Sequence, residues 1–598
     1  MALLAVGVST PASASELRFS RTAAGQVVAT GNTLGLAKEF AANGPGFEDS
    51  IGTFISLDDA SVDDDPANPG NPWPMGTTGD WTLNGAEAEL DIPPQVEVLH
   101  AELVWGGSSF YGSEDVRAFV DEPVTLSVAG GGSELITPDP ITALDLAEVA
   151  FSGFEANYYM RSADVTAFVQ DNGAGMYAVS GIPATQTVEI NSLNAAGWTL
   201  LVAYRDSGEP IRNLTIFVGG SFVDEDSVED YEFAGFCTPP SGAFEGRVVV
   251  STIEGDAELT GDSFRIGETI GGASVPLSGP NNPVDNFFCS QLNDSSGNVD
   301  MSGSFGDANH DAAGGFTVAG GRQGWDVTSI AASSAEGHFS NGQTEAVLTA
   351  VTTGDSFVPI ATGFAIEVNA PDFSSEGNGA QGDPLVLALG ETSTVTVNMR
   401  NDGLVDATGL VFRAPLPEGL ELSSFAIDGN DGDIDGNAVD DAGLMGGVPV
   451  GDIAVGVSRQ IVFEVVSTGA PANDVTYLIQ PRWDYDYVSC AGEPPLTEPH
   501  STAPVIIDFD APEGTTGGLD DTAGDEASGG DSGEGSGTGA DTAGDDDGGA
   551  TTSGVVSGSA SAGTVTETDG CGCRSNGSAP GGALLMLLGL LGLRRRRH

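Results

Sequence analysis

Short strand-like runs separated by turn residues dominate the chain up to about residue 510 and limit what it can fold into. Segments 86–107, 197–204, 214–220, 246–253 and 344–354 are rich in Val, Thr, Leu and aromatic residues, with Gly, Asn, Asp and Pro clusters between them. Such compositions favour strands and turns. No long stretch repeats apolar residues with the period of a helix. The pattern predicts an all-β protein with tandem β-sandwich or jelly-roll domains.

Two short segments with similar sequences are the exceptions. Residues 163–171 (ADVTAFVQD) and 324–332 (GWDVTSIAA) both contain Asp-Val-Thr, in which Asp164 or Asp326 is placed to cap a helix. We expect a helical turn at each. Their similarity also indicates that region 16–370, predicted as the N-terminal β-sandwich region, contains two related sandwiches.

Length and charge narrow the class of protein. A chain of 598 residues is long enough for more than one core. Asp and Glu number 87 against 19 Lys and Arg, which gives a formal net charge of −68. This charge excludes nucleic acid as an expected partner, because binding phosphates requires basic stripes. A polyanion of this kind stays soluble and attracts cations.

Composition changes mark the expected boundaries after residue 370. Residues 371–384 are rich in Gly and Ser and are predicted to be a linker before a further β domain at 385–508. Within that domain, residues 394–399 alternate Thr or Asn with Val or Met, which predicts a half-buried strand. Residues 511–570 contain mainly Gly, Ser, Thr and Asp, and predict a disordered acidic stalk.

Both ends of the chain resemble targeting segments. Residues 1–14 carry a short apolar stretch and an Ala-Ser-Ala sequence, which predicts a truncated signal peptide; an ordinary flexible terminus is the alternative. Residues 575–593 lack charged side chains, and their apolar part, 583–593, precedes four arginines. This predicts a hydrophobic helix whose arginines stay on the cytoplasmic side. The rest of the chain would then lie outside the cytoplasm.

Residues 571–598 resemble a known sorting signal. Cys571 and Cys573, a Ser/Gly/Pro spacer, the apolar run and the arginine cluster are similar to the MYXO-CTERM signal of myxobacterial surface proteins, the substrate of the protease myxosortase. The resemblance implies a sorting protease and membrane lipid as partners, with the two cysteines as the anchor. A lipid chain contributes about 0.8 kcal/mol per buried methylene. A permanent tail anchor and a Cys-x-Cys metal site are the alternatives.

Two further resemblances concern the β-rich region. Several segments are similar to the N-terminal region of bacterial surface proteins that carry repeats of the family called domain of unknown function eleven: HAELVWGG (100–107), AGWTLLVAYRDSGEPIRNLTIFVGG (196–220), FCTPPSG (236–242), LTGDSF (259–264) and DNFFCS (285–290). Residues 385–424 resemble one copy of the repeat itself, which implies an immunoglobulin-like sandwich over 385–508. The family has no established catalytic activity, so the resemblance implies surface display and no enzyme.

The cysteines offer a candidate disulfide. Cys237 and Cys289 each follow a phenylalanine and have similar surroundings. In an exported protein, a disulfide between them would close a loop of about 50 residues and contribute roughly 4 kcal/mol to stability. Two separate buried thiols are the alternative, and the state of Cys490 is open.

One acidic loop has the spacing of a calcium site. Asp431, Asp433 and Asp435 occupy loop positions 1, 3 and 5, and Gly436 occupies position 6, as Ca²⁺ loops require. Position 12 is alanine where an EF-hand has glutamate, so Asp441 or the aspartate before it would have to substitute. The alternative is an acidic hairpin loop rich in turn residues. Ca²⁺ is the one cofactor that the residues indicate.

Catalytic motifs are weak. Gly-Asp-Ser at 261–263 and 354–356, with Asp-x-x-His at 307–310, resembles blocks of the GDS(L) hydrolases, but turn chemistry explains these residues better. Residues 377–382 spell a dinucleotide-binding pattern, yet Asp-Pro follows where a helix should begin.

An aromatic strand offers a different binding chemistry. Trp483, Tyr485 and Tyr487 alternate along one strand and therefore share a face. That face would either stack on sugars or belong to the core.

These features together predict an exported, surface-anchored structural or adhesive protein without catalytic activity. An extracellular protein or a glycan would be its ligand. A surface-anchored carbohydrate-binding protein or a secreted hydrolase is the alternative.

Overall fold

The computed structural model describes residues 15–39, 44–47, 50–58, 72–151, 154–186, 193–257, 259–311, 317–434, 436–468 and 475–510. The predicted signal peptide at 1–14, stalk at 511–570 and sorting signal at 571–598, with Cys571 and Cys573, lie outside these residues. No helix among the described residues is long and apolar enough to cross a bilayer.

The regular elements of the N-terminal region, up to residue 367, are mostly strands. In chain order these are β1 (Ser15–Thr33), β2 (Gly35–Ala37), β3 (Ile51–Ile55), β4 (Thr77–Thr78), β5 (Gly85–Leu90), β6 (Glu97–Tyr111), β7 (Glu114–Asp115), β8 (Val124–Val128), β9 (Ser133–Ile136), β10 (Leu144–Phe151), β11 (Phe154–Asp164), β12 (Gly175–Ser180), β13 (Ala196–Arg205), β14 (Ile211–Gly219), β15 (Glu229–Ala234), β16 (Glu245–Ile253), β17 (Ser263–Gly267), β18 (Ser274–Pro276), β19 (Trp325–Ser333), β20 (Glu345–Val351) and β21 (Val358–Glu367). Helix α1 (Thr166–Asn172) and 3₁₀ turns at Trp81–Leu83 and Gly306–Ala308 interrupt them.

Strand β1 joins two halves of a ten-stranded antiparallel sheet. Residues 25–33 of β1 pair with β13, and residues 15–24 pair with β14. The first half-sheet has the order β10-β11-β6-β13-β1, and the second has the order β1-β14-β21-β16-β19. One strand is therefore shared by both halves.

The two half-sheets pack face to face. Leu201 of the first half-sheet shares a core with Val249, Trp325 and Ile360 of the second. Gly197 permits the close approach, since a Cβ atom there would lie 2.4 Å from the Trp325 ring. Dense packing of this kind makes the contact sensitive to a single added methyl group.

An outer sheet covers the other face of each half-sheet. Sheet β5-β12-β8-β9 packs on the first half-sheet, where Trp105 and Trp198 share a core with Tyr177. Sheet β15-β20-β17-β18 packs on the second, where the Phe233 and Phe364 ring centroids are 4.5 Å apart. The N-terminal region is thus a stack of four sheet layers, and it contains two sandwiches that share β1.

The C-terminal region of the described chain adds smaller sheets. Its elements are β22 (Gly379–Asp383), β23 (Val386–Leu387), β24 (Thr392–Arg400), β25 (Ala407–Arg413), β26 (Leu420–Ile427), β27 (Asn430–Asp431), β28 (Asp433–Ile434), β29 (Asn437–Ala438), α2 (Asp441–Gly446), β30 (Val448–Ile453), β31 (Ser458–Ser467), β32 (Val475–Ile479), β33 (Arg482–Tyr487), β34 (Leu496–Ser501) and β35 (Val505–Phe509). Sheets β22-β24-β31-β26-β27, β30-β25-β33-β34 and β23-β35-β32 enclose its core. The all-β prediction is confirmed, whereas the jelly-roll and immunoglobulin-like classes stay predictions.

The five predicted strand segments and the alternation at 394–399 all correspond to strands. Along β24, Val395, Val397 and Met399 are buried and the residues between them are half-buried. The linker predicted at 371–384 is wrong for part of its length. Residues 379–383 form β22 and pair with β24, and Phe373 is buried against β33. The glycines at 379 and 382, which are typical of a linker in the sequence, lie in strand β22.

One of the two predicted helical turns is correct. Residues 166–172 form α1, but the N-cap is Val165 and not Asp164, which ends β11. Asp164 Oδ1 accepts a hydrogen bond from the Thr166 N–H at 2.9 Å without occupying the cap position. The turn predicted at 324–332 is wrong, because these residues form β19 and pair along their length with β16. Trp325 fills the space between the half-sheets, and that burial outweighs the local capping preference of Asp326.

The predicted disulfide between Cys237 and Cys289 is also wrong. Cys237 bonds to Cys490, 253 residues along the chain, with Cα atoms 5.4 Å apart. Cys289 is a fully buried free cysteine whose Sγ lies 2.6 Å from Gln291 Oε1. The preceding phenylalanine that made the two sequences alike is buried at both places, so core packing explains the similarity. The bond ties the N-terminal region to the C-terminal region.

We expect replacement of Cys237 or Cys490 by alanine to lower the free energy of unfolding by about 5 kcal/mol, because the unfolded chain then loses a very long covalent loop. Urea unfolding of each variant measures the loss, and the double variant should lose no more than either single variant. Cys289→Ala is the control and should retain the crosslinked peptide in mass spectra of the unreduced protein. A large loss in Cys289→Ala with no Cys237–Cys490 peptide would contradict this pairing.

Candidate functional site

A groove lies where the N-terminal and C-terminal regions meet, and we call it the junction groove. It has a volume of about 670 Å³. Residues 94–97 and 205–208 line it from the N-terminal region, and residues 373–380, 480–482 and 499–504 line it from the C-terminal region. Grooves between structural units are common places for ligands. Its lining is mixed, since polar side chains alternate with apolar ones such as Val96, Phe373 and Pro504.

A buried ion-pair network lies beside the junction groove, and its members Glu97 and Arg205 line the groove. Glu498 of β34 is 1% exposed and accepts hydrogen bonds from Arg205 Nε at 2.9 Å and from the Ala24 N–H at 3.1 Å. Arg205 also pairs with Glu97. Burial raises the pKa of Glu498, and the attraction of Arg205 offsets part of that effect. One carboxylate thus holds both β1 and β13 against β34.

A second polar site is a buried group of three carboxyls, Asp262, Asp326 and Asp355, which we call the acid cluster. Asp326 Oδ2 accepts from the Thr252 hydroxyl at 2.8 Å. Asp262 Oδ2 accepts from the Phe288 N–H at 2.6 Å. All three are at most 2% exposed, and none forms an ion pair with a basic residue among the described part of the chain.

Burial changes the acidity of the acid cluster. It raises the pKa of Asp262 and of Asp326 to about 7, and repulsion from the neighbouring carboxylates adds to the effect. Burial together with the charge of Asp262 raises the pKa of Asp355 to about 8. Protons are therefore shared within this cluster near neutral pH.

The two Gly-Asp-Ser segments lie side by side within this cluster. A Cβ atom on Gly261 would be 2.7 Å from the Gly354 nitrogen, and the Thr353 N–H donates to the Gly261 carbonyl at 3.0 Å. Their aspartates are buried carboxyls that accept backbone hydrogen bonds, Asp262 from the Phe288 N–H and Asp355 from the Ser356 N–H.

The serine and histidine of the hydrolase-like pattern are not brought together by any hydrogen bond among the described residues. Ser263 begins β17 and pairs with Val351. His310 Nδ1 accepts from the Val318 N–H at 3.1 Å, and burial lowers its pKa to about 4. Because Nδ1 accepts, the neutral ring carries its proton on Nε2, so neither ring nitrogen is free to accept the proton of a serine hydroxyl.

The calcium-like loop is only partly described. Asp431 is exposed, Asp435 lies outside the described residues, and so does the side chain of Asp433. Asp441 Oδ1 accepts from the Leu422 N–H at 2.7 Å, and Asp440 caps α2. Within the described ranges, no group of three or more His, Cys, Asp or Glu is arranged to share a metal ion. The calcium site formed by Asp431, Asp433, Asp435 and Asp441 stays a prediction.

The aromatic strand β33 is part of the core. Trp483, Tyr485 and Tyr487 share one face, as their alternation predicts, and none is more than 3% exposed. Phe373 and His500 pack against them, with ring centroids 5.6 and 4.4 Å from Trp483. Stacking of this face on a sugar is therefore excluded, because the C-terminal region needs the face for its own burial.

Sequence reasoning missed the junction network and the acid cluster. Arg205 and Glu498 are 293 residues apart, and Asp262 and Asp355 are 93 residues apart along the chain. No local pattern marks them. The only available indication was the repeated Gly-Asp-Ser-Phe sequence at 261–264 and 354–357.

We expect Glu498→Gln to lower the free energy of unfolding by about 3 kcal/mol, because it leaves the buried Arg205 without its inner partner. Glu97→Gln is the matched control and should cost less than about 1 kcal/mol, since the Glu97 side chain is 59% exposed. Urea unfolding at pH 7 measures both. Equal losses in the two variants would show that Glu498 does not fasten the junction.

We expect the acid cluster to make the protein less stable as pH rises. The folded-state pKa values of Asp262, Asp326 and Asp355 lie above that of an unfolded aspartate, so their contribution is complete below about pH 4 and disappears through pH 7 to 8. Asp326→Asn should flatten the fall between pH 6 and pH 8.5 by about 1 kcal/mol.

Urea unfolding at the two pH values measures this slope. EDTA is included so that only protons, and no metal ion, neutralise the carboxylates. Asp226→Asn, in an exposed turn, is the control and should keep the wild-type slope. An unchanged slope in Asp326→Asn would contradict the assignment.

No protein-family model matches the chain, and no curated protein matches it. The two family resemblances therefore rest on the residues alone. What the protein does has to follow from its residues and their geometry.

Proposed function

We propose that the protein is exported, anchored at the cell surface through its C-terminal segment, and acts there as a structural or adhesive β-sandwich protein. The observation that carries the proposal is the Cys237–Cys490 disulfide. Structural disulfides form and persist in oxidising compartments and are rare in the cytosol. The Cys237–Cys490 bond is of the structural kind, because it joins the N-terminal region to the C-terminal region.

The anchor is proposed from residues 571–598. The sorting protease would act on this segment, and lipid would attach at Cys571 or Cys573. Residues 511–570 would hold the folded part away from the membrane, because closely spaced carboxylates repel one another and favour an extended chain. The net charge of −68 supports display in an aqueous medium, since it opposes association between copies.

A non-catalytic role is part of the proposal. Four packed sheet layers, the disulfide and the buried Glu498–Arg205 pair favour a stiff body suited to bearing load or presenting a surface. Among the described residues no hydrogen bond joins Ser263 to His310, and His310 Nδ1 accepts from a backbone N–H instead, which weighs against the hydrolase alternative. Ca²⁺ bound at the Asp431–Asp441 loop would add to this stiffness.

We expect the double variant Cys571→Ala/Cys573→Ala to move most of the protein from the cell fraction into the culture medium. Without a thiol, no lipid chain can be attached to hold it. Immunoblots of cells and medium measure the distribution. Cys289→Ala removes a buried cysteine instead and should stay with the cells. Retention of the double variant would show that attachment does not use these cysteines.

A further inference from the structure

Trp81 differs from every other tryptophan of the protein in its exposure. The chain has six tryptophans. Trp73, Trp105, Trp198, Trp325 and Trp483 are all at most 5% exposed and belong to cores. Trp81, in the 3₁₀ turn Trp81–Leu83, is only half-buried.

Trp81 lines a cleft on the first sandwich, which we call the Trp81 cleft. The cleft has a volume of about 360 Å³, within the range of small-molecule sites. Phe119 is 39% exposed and stands beside Trp81, with ring centroids 5.4 Å apart and planes tilted by 44°. The two rings present a partly open aromatic surface that no described side chain covers.

Oxygen-rich side chains line the same cleft. Asp80, Glu114 and Gln186 contribute to its walls together with Asp115. Glu114 Oε2 accepts from the Gln186 N–H at 2.5 Å, and Gln186 Nε2 donates to the Gly52 carbonyl at 2.7 Å. Asp115 accepts three hydrogen bonds from Arg117, two from the guanidinium and one from the backbone N–H. These contacts fix the polar groups in place beside the rings.

We propose that the Trp81 cleft binds a sugar ring of a neutral glycan. A pyranose has an apolar C–H face that packs on an aromatic ring, and hydroxyl groups at its edge that donate to carboxylate and amide oxygens. The carboxylates of the cleft and the net charge of −68 oppose acidic glycans. A purely apolar ligand would remove the carboxylates of the cleft from water without replacing the hydrogen bonds that water supplies.

The inference deepens the adhesive role proposed above and rests on it, because a glycan of a neighbouring surface is a ligand for a displayed protein. The Trp81 cleft lies on the first sandwich and does not include the buried aromatic face of β33. The inference names a binding residue, Trp81, that no sequence motif marked.

Isothermal titration calorimetry of the full-length protein in detergent measures binding in every variant, and tryptophan fluorescence of the wild type reports whether the ligand meets the exposed Trp81. The probes are cellohexaose, chitohexaose, maltohexaose and xylohexaose, with an oligogalacturonate as the acidic comparison. At least one neutral probe should shift the emission and bind saturably, and the acidic probe should not. Trp81→Ala should weaken that binding at least tenfold, and Glu114→Gln should weaken it severalfold.

Leu83→Ala is the matched control, because Leu83 is 59% exposed in the same 3₁₀ turn and does not line the cleft. It should bind like the wild type. Circular dichroism and urea unfolding show whether Trp81→Ala keeps its fold, and Glu114→Gln supplies an independent variant if it does not. The proposal is overturned if no neutral probe binds, or if Trp81→Ala and Glu114→Gln both bind as tightly as the wild type.

Self-association that is lost in Trp81→Ala would also overturn the proposal, in favour of an interface between copies. Immunoblots of cells and medium test surface display separately, so a failure of sugar binding is distinguishable from a failure of export.

Discussion

The contact between the two half-sheets is the constraint on which the N-terminal region depends. Strand β1 pairs with one half through residues 25–33 and with the other through residues 15–24, so neither half can form its complete sheet alone. Trp325 fills the space that the missing side chain of Gly197 leaves. Because interiors are close-packed, this contact fixes the distance between the half-sheets. Both outer sheets take their positions from it.

The C-terminal region is fastened to this stack by two different interactions. The Cys237–Cys490 bond is covalent and restricts the unfolded chain, whereas the Glu498–Arg205 pair acts only in the folded state. The pair depends on its hydrogen bonds, since burial alone disfavours a charged carboxylate. The disulfide and the ion pair together hold the N-terminal and C-terminal regions in one arrangement.

Local pattern predicted most strands, because alternating burial along β24 and the β-branched composition of β13 and β16 are visible in the sequence itself. It failed where distant segments decide the outcome. Residues 324–332 carry a capping aspartate, yet pairing with β16 makes them a strand. Cys237 and Cys289 have similar neighbours, yet the partner of Cys237 lies 253 residues away.

In the candidate sites, too, local sequence predicted some features and distant segments decided the others. The shared face of Trp483, Tyr485 and Tyr487 was predictable from spacing, but whether that face meets solvent or Phe373 was not. Burial raises the pKa values of both Asp262 and Asp355, and the charge of Asp262 raises the pKa of Asp355 further. Trp81 has no distinguishing sequence, and only the burial of the other five tryptophans makes its exposure meaningful.

Protease treatment of intact cells tests the central claim, that the β-rich body is displayed outside the cell, most directly. Proteinase K added to washed cells should cleave within residues 511–570 and release a fragment that contains the Cys237–Cys490 bond into the supernatant. An antibody against residues 15–510 detects it, and a cytoplasmic protein monitors lysis. Protection of the full-length chain until the cells are broken would contradict the account.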